Sequence, residues 1–462
     1  MAELRHGFGP DSADAARGDG PWVLILLAAF SGLTIPAGLV LAGPLASNGW
    51  PPRLLVFLAA GCILIGWMVR GAAGRAPASP ALVGTFVLLG ACLVAYFAAG
   101  MRATVPDEYA GALRALLAMV PVAIVAAGIA QMATERQVNV LLQVVVVAAS
   151  LSALVALAQY VKPFDLASLM QVPGMVAREA GGMGSRGGFT RVNGAAEHPI
   201  EFSVISGAAL PLAIHSARFA RDGLRRLVLW AVVGVFALAV PMAVSRSGVV
   251  VVAVALLVYA VALDGRQRLT LLAVAVAGGA LLRAAIPGLL GTVTAIFERA
   301  ATDPSVSGRT DDYVVIGQLF RRSPLVGMGL GTFRPEVYFF LDNAYLLAAV
   351  EGGVVLVVAV VLFFVLGAAA ARGAALRAVD DERRSRAQAL AASIAAIGLS
   401  GLFFDLFSFA QVTLLCFLLV GAAGASWRLS LETGRALPAP LERIRGVSAD
   451  RQRRPVGVPH VA

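Results

Sequence analysis

The chain has 462 residues, 59% hydrophobic and only 14% charged, with 37 basic against 27 acidic side chains and a net charge of +10. A soluble domain carries about a quarter charged residues, and no polar stretch here is long enough to build its own core, so a soluble globular enzyme is excluded. The long apolar runs approach the ~20 residues a helix needs to cross a bilayer, and they are continuous rather than alternating, which points to helices and not to a barrel.

In chain order, residues 1–21 read as a polar cytoplasmic segment. Spans are expected at 22–44, 54–69, 80–100, 115–131, 139–161, 199–216, 227–244, 247–263, 269–288, 344–370, 387–404 and 408–427. The first exceeds the apolar region of a signal peptide and reads as a retained span. The expected fold class is therefore an all-α polytopic membrane protein of about twelve transmembrane helices. It forms one transmembrane domain over 22–427, followed by a basic cytoplasmic tail at 428–462. The segments 1–21, 70–79, 132–138, 217–226, 264–268, 371–386 and 428–462 hold 23 of the 37 basic residues. All the excess charge sits on that side, which is cytoplasmic by the positive-inside rule. The tail, with "RQRRP" near its end, reads as a segment beside anionic lipid. Without interleaved aromatics it does not read as a nucleic-acid site. Cys62, Cys92 and Cys416 all lie in apolar runs and give neither a disulfide framework nor a metal site.

Two longer loops, 162–198 and 289–343, then face outward. The first ends in "GSRGGFTRVNGAAEHPIEFS" (184–203). Pro199 suits the first turn of the next span, which puts Glu197 and His198 at the helix mouth. Arg186 and Arg191 come just before, with Gly187, Gly188 and Gly194 allowing tight turns. An arginine fork grips phosphate in two places and keeps its charge. As residues alone, these fit either an anion site beside the bilayer or a polar loop with ordinary interfacial arginines. "VPMAVSRSG" (240–248) sets Arg246 at a tight outer turn, where a charge near hydrocarbon has a task or simply snorkels.

In the second loop, residues 310–322 read as a short amphipathic helix on the membrane surface. Thr310 would cap it, Asp311 and Asp312 would suit its positive end, and Arg309 would stand just before it. "GMGLG" (327–331) reads as a tight return, since no strand–turn–helix unit surrounds it. Asp342 and Asn343 sit at the mouth of the following span, as site residues or as caps. Glu351 lies deeper in that span. His6, His198, His215 and His460 are too scattered for a histidine metal cluster. No metal and no nucleotide cofactor is expected, although a metal held by carboxylates stays open.

Taken in order, "TRVNGAAEHPIEFSV", "SRSG", "GRTDDYVVIGQLFRRSPLVGMGLGTF" and "DNAYLLAAVEGGVVLVV" resemble the O-antigen ligase and O-antigen polymerase superfamily of bacterial membrane glycosyltransferases. The resemblance covers roughly 185–360. It implies a GT-C-like helical fold in the bacterial inner membrane, with both termini cytoplasmic and the active site facing outward. It implies a glycan donor carried on undecaprenyl pyrophosphate and an acceptor that is lipid A core, a second carrier-linked glycan or another glycan. Proteins of polysaccharide export or chain-length control become candidate partners. The family's arginines fall on Arg191, Arg246 and Arg309, which would grip the pyrophosphate. Arg186, Glu197 and Asn343 would line the same site. Family ligases place a histidine where this chain has Asp342, which favours a polymerase or another transferase over lipid A–core ligation. Asp342 or His198 would act as the general base, and direct displacement would invert the anomeric carbon. The readings of another class are a lipid-linked glycan flippase and a non-catalytic scaffold of an envelope assembly.

Overall fold

The computed structural model describes residues 20–43, 46, 48–70, 77–102, 106–178, 184–186, 188–285 and 304–436. The expected N-terminal segment up to residue 19 and the tail from 437 lie outside the described residues. Fourteen helices carry the fold among those described: α1 Gly20–Thr34, α2 Pro51–Arg70, α3 Pro80–Arg102, α4 Pro106–Met132, α5 Glu135–Val161, the short α6 Leu166–Leu169, α7 Pro199–Arg218, α8 Gly223–Met242, α9 Arg246–Ala260, α10 Gly265–Ala285, α11 Pro304–Arg322, α12 Ala344–Arg377, α13 Asp381–Ser400 and α14 Ala410–Ala436. Eight of them are long and apolar enough to cross a membrane, and two shorter apolar helices, Pro21–Thr34 and Ser247–Ala260, join them. The protein is a polytopic helical membrane protein.

The helix ends are written in side chains. Thr134 and Gln137 form a reciprocal capping box at the start of α5, Asp222 caps α8 and Asp380 caps α13. Each supplies an oxygen to an N–H that has no partner within its own helix.

Four expectations change. The span expected at 22–44 is helical only to Thr34, because Pro36 cannot donate to a continuing helix. Leu39–Leu41 instead form a strand (β1) that pairs antiparallel with Met175–Ala177 (β2). With a second ribbon of Ser185–Arg186 (β3) and Phe189–Thr190 (β4), the fold is not purely α-helical. Helix α11 starts at Pro304, so Arg309, Thr310, Asp311 and Asp312 lie within it and not at its beginning. Proline suits a first helical position. Half of its apolar stripe is buried in the protein, with Ile316 and Leu319 against Phe333 and Val350. Finally, α14 continues past residue 428. Arg428 is buried and donates to the carbonyls of Ala130 (3.2 Å), in the last turn of α4, and of Ala133 just beyond it.

The bundle has two chemically distinct ends. At one, Arg383 grips Glu135 with two 2.7 Å hydrogen bonds, Arg386 adds another at 3.1 Å, and Ser385 meets Tyr259 and His215. At the other lie the mouths of α2, α7, α9, α12 and α14. From that end the segment 323–333 dips between α3 and α12. Leu330 N donates to Ala95 O (3.1 Å), Met328 N to Val350 O (2.8 Å) and Gly329 N to Glu351 O (2.8 Å), while Val354 N donates to Pro324 O (2.8 Å). Helix α12 is broken where they meet: Gly353 has φ 61° and ψ −160°. Irregular backbone at this depth persists only when protein satisfies it, and here each strand of backbone satisfies the other.

Candidate functional site

The turn before α7 is held by buried polar side chains from apolar helices. Gln159 of α5 accepts from Asn193 N (3.2 Å) and Gly194 N (2.8 Å) and donates to Gly194 O (3.1 Å). Ser152 accepts from Ala195 N (3.0 Å), and Gln411 of α14 donates to Ala195 O and Ile35 O, both at 3.0 Å. Gly194 has φ +58°, and a Cβ there would lie 2.5 Å from Ser152 O, so only glycine fits. The fully buried Glu201 accepts from Glu197 N (3.0 Å), Gln411 N and Val412 N (both 3.1 Å). It thereby fastens the turn to the first turn of α14. A buried polar group left unpaired costs roughly 1–3 kcal/mol, so this network fixes one backbone path and with it the position of His198.

His198 is the N-cap of α7. Its Nδ1 accepts from Ile200 N at 3.1 Å. A neutral imidazole has one acceptor and one donor nitrogen, so the proton belongs on Nε2 and the ring presents a donor. Burial, with Arg191 adding its charge, pushes His198 down to about 4, and the ring is neutral at pH 7. Arg191 Nε donates to Ala243 O (3.2 Å), which ties it to the turn before α9. That turn is strained: Val244, a β-branched residue, has φ 46°, a conformation costing of order 1–3 kcal/mol and found mostly at functional sites. Ser245 and Ser247 share a 2.7 Å hydrogen bond, and Arg246 opens α9.

The mouth of α12 comes to the same end. Asn343 is its cap, accepting from Tyr345 N (3.0 Å) and Leu346 N (3.1 Å) and donating to Leu402 O (3.1 Å). Ala344 N donates to Gly401 O (2.8 Å). These bonds weld residues 342–345 to the turn 401–409 and set Asp342 within electrostatic reach of Asp405. Burial first, and then Asp342, push Asp405 up to about 6, against hydrogen bonding with Ser408. Phe409 links the two halves, its ring 6.2 Å from His198 and 5.5 Å from Phe404.

Of the expected site residues, the structure thus brings Arg191, His198, Asp342 and Asn343 to one end, with the start of α9 beside them. Glu197 faces other partners, Arg53 and Arg178, and burial raises its carboxyl although both arginines oppose this. Arg186 lies on β3, Arg246 at the start of α9 and Arg309 within α11, and their side chains lie outside the described residues. Glu351 accepts from Phe333 N at 3.2 Å, which makes it a clamp on the dipping segment.

Residues 230–361 match the family described as O-antigen ligase. Over that segment the chain is similar to the O-antigen ligase family, which supports the resemblance to the O-antigen ligase/polymerase superfamily. The match runs from α8 through the strained turn and α11 to the break in α12, and holds Arg246, Arg309, Asp342 and Asn343. Arg191 and His198 precede it. No curated protein matches the chain. The match supports an O-antigen ligase-like function in general, and that family implies lipid-linked glycan substrates in a membrane.

Sequence reading missed Arg53, Arg178, Glu201, Gln159, Gln411 and Asp405. Glu201, Gln159, Gln411 and Asp405 are polar residues within or between apolar runs, the same signal that singled out Glu351. Arg53, three residues into a helix mouth, carries the signal used for Arg246. Nothing local marks Arg178, which matters through its pairing with a strand far away in sequence.

Proposed function

We propose that the protein is an inverting glycosyltransferase of GT-C-like fold. On this reading it uses a glycan donor linked to undecaprenyl pyrophosphate at the outer face of the bacterial inner membrane, and acts as a polymerase or related transferase. The observation that carries this is the convergence of Arg191, His198 and Asp342 at one end of the bundle, with part of that cluster inside the family-matched segment. Arg191, with Arg246 and Arg309, grips the diphosphate. His198, its Nδ1 already occupied, donates from Nε2 to a phosphate or glycan oxygen. That leaves Asp342, with Asp405 beside it, as the proton acceptor. The acceptor hydroxyl oxygen attacks the anomeric carbon while its proton passes to Asp342. The bond from that carbon to the diphosphate oxygen breaks, the electron pair leaves on the diphosphate, and the arginines stabilise the growing charge. Attack opposite the leaving group inverts the configuration.

The break in α12 is the one feature a transporter would also use. Its described backbone groups and Glu351 are engaged by the dipping segment, whereas the charged groups gather at the mouth. The test is glycan transfer from purified undecaprenyl-pyrophosphate oligosaccharide in liposomes, with products read by gel and mass spectrometry. Arg191→Ala and Arg246→Ala are each expected to lower transfer at least about 100-fold, the range seen when one transition-state donor is removed. Asp342→Asn should lower it further. Full transfer in both arginine variants overturns the diphosphate grip. No transfer by folded wild type across several acceptors favours transport or scaffolding.

A further inference from the structure

A second cationic group stands beside the first and takes no part in the scheme above. The β1–β2 ladder places Ala177 opposite Leu39, and Arg178 N donates to Gly38 O (2.8 Å), so the ribbon sets the Arg178 backbone beside the start of β1, and its side chain reaches the segment that follows β1. There Arg178 Nη2 donates to Ala46 O (2.5 Å). Arg53, in the first turn of α2, donates through Nη1 to Asn48 Oδ1 (2.7 Å). Two guanidinium groups from distant parts of the sequence are thus anchored on one short turn and lie within electrostatic reach of each other. Among the described residues one carboxylate, Glu197, lies within electrostatic reach of both, and these three side chains together carry +1. The neighbouring residue His198 feels Arg191 instead. The Glu197–His198 pair therefore separates two cationic groups: Arg191 on the side of the α9 turn, Arg53 and Arg178 on the side of α2. Arg178 is open to solvent, while Arg53 and Glu197 are half-buried.

Two arginines held together repel, and among the described residues one carboxylate offsets only one of their two charges. A planar fork with five N–H donors can anchor on a carbonyl and still grip a phosphate in two places. The position fixes the kind of phosphate. Arg53 stands in the first turn of a membrane-crossing helix and Glu197 at the mouth of another, so an anion arriving here is carried by a lipid. We propose that Arg53 and Arg178 form a second anion subsite for the phosphate group of a membrane lipid, with Glu197 as the internal carboxylate that this phosphate displaces. If the transfer reading of the first site holds, on which this role rests, the second lipid is the acceptor, held across Glu197–His198 from the donor.

The experiment counts bound lipid on the full chain by native mass spectrometry in detergent, with undecaprenyl diphosphate as probe. Wild type is expected to bind two. Arg178→Ala, a change at an exposed side chain, and Arg53→Ala should each bind one. Arg191→Ala should also bind one, and Arg178→Ala combined with Arg191→Ala none. Glu197→Gln removes the competing carboxylate and should tighten the second binding several-fold. A purely structural ion-pair network would instead leave binding unchanged in Glu197→Gln and two lipids on folded Arg178→Ala, and either result overturns the proposal. A single lipid on wild type also overturns it. Competing phosphatidylglycerol separates the sources: displacement of only the second lipid at equal concentration assigns the subsite to a phospholipid headgroup, and resistance assigns it to the diphosphate carrier. Loss of the first lipid is read from Arg191→Ala alone, so failure of the donor site and failure of this subsite are distinguishable.

Discussion

At the residue scale, His198 and Asp405 are displaced in opposite directions, and the difference can be measured. His198 titrates at about 4 because burial and Arg191 both disfavour its charged form. Asp405 titrates at about 6 because burial and Asp342 disfavour its charge. Below about pH 6 Asp405 has taken up a proton, and Asp342 loses the neighbouring negative charge that favours its accepting another. The expected pH profile of kcat/KM for transfer therefore falls on the acid side through about 6. That limb should disappear in Asp405→Asn and persist in His198→Gln. A limb that stays in Asp405→Asn, or that moves with His198, overturns the role given to the pair. The same numbers fix the sign for stability. A histidine depressed in the fold binds fewer protons than in the unfolded chain between about 6.5 and 4. Its contribution is thus complete above about 6.5 and is lost as pH falls toward 4. His198→Ala also removes a helix cap, a loss of about 1 kcal/mol, read as a lower midpoint of thermal unfolding in detergent at pH 7.

At the element scale, α12 shows what hydropathy can and cannot report. The run 344–370 is apolar but for Glu351, so a continuous helix is the natural expectation, and most expected spans do fall on single helices because burial in lipid sets their length. The break at Gly353 left only "EGG" as a trace, since its cause is the distant segment 323–333 that fills it. A Cβ at Gly353 would lie 2.3 Å from the carbonyl carbon of Leu325, at φ +61°. Gly353→Ala therefore meets both a backbone clash and an unfavourable conformation, and overpacking alone costs about 1–3 kcal/mol. The variant should unfold at a clearly lower temperature than wild type, while Gly279→Ala, with open space around it, should not. Equal melting of the two would mean that the dipping segment does not hold α12 apart. The same logic explains the site. Arg191, His198 and Asp342 were legible because each stands at a helix mouth in an apolar chain. Arg178 and the β1–β2 ribbon were not, because strand pairing across well over a hundred residues leaves no local pattern.

At the scale of the whole molecule, charge separates the ends. Arg218 meets Gln267 (2.9 Å), Tyr259 meets Ser385 (2.8 Å) and Arg383 meets Glu135 (2.7 Å), so the arginine-rich segments 217–226, 264–268 and 371–386 gather at the end opposite His198. Sequence counting assigns those segments to the cytoplasm, and the packing makes them one surface, so a single orientation must serve all of them. In the proposed orientation, a diphosphate site at the other end faces the outer compartment. Two exposed positions test this. Leu169, 65% exposed, lies just before the β1–β2 ribbon, and Asp381, 83% exposed at its side chain, lies at the start of α13. In a background with Cys62→Ala, Leu169→Cys should react with a membrane-impermeant maleimide on intact spheroplasts. Asp381→Cys should react only after lysis. The reverse pattern would place Arg191 and His198 inside, where a donor presented on the outer leaflet could not reach them, and the proposed reaction would fail on geometry before any assay of transfer.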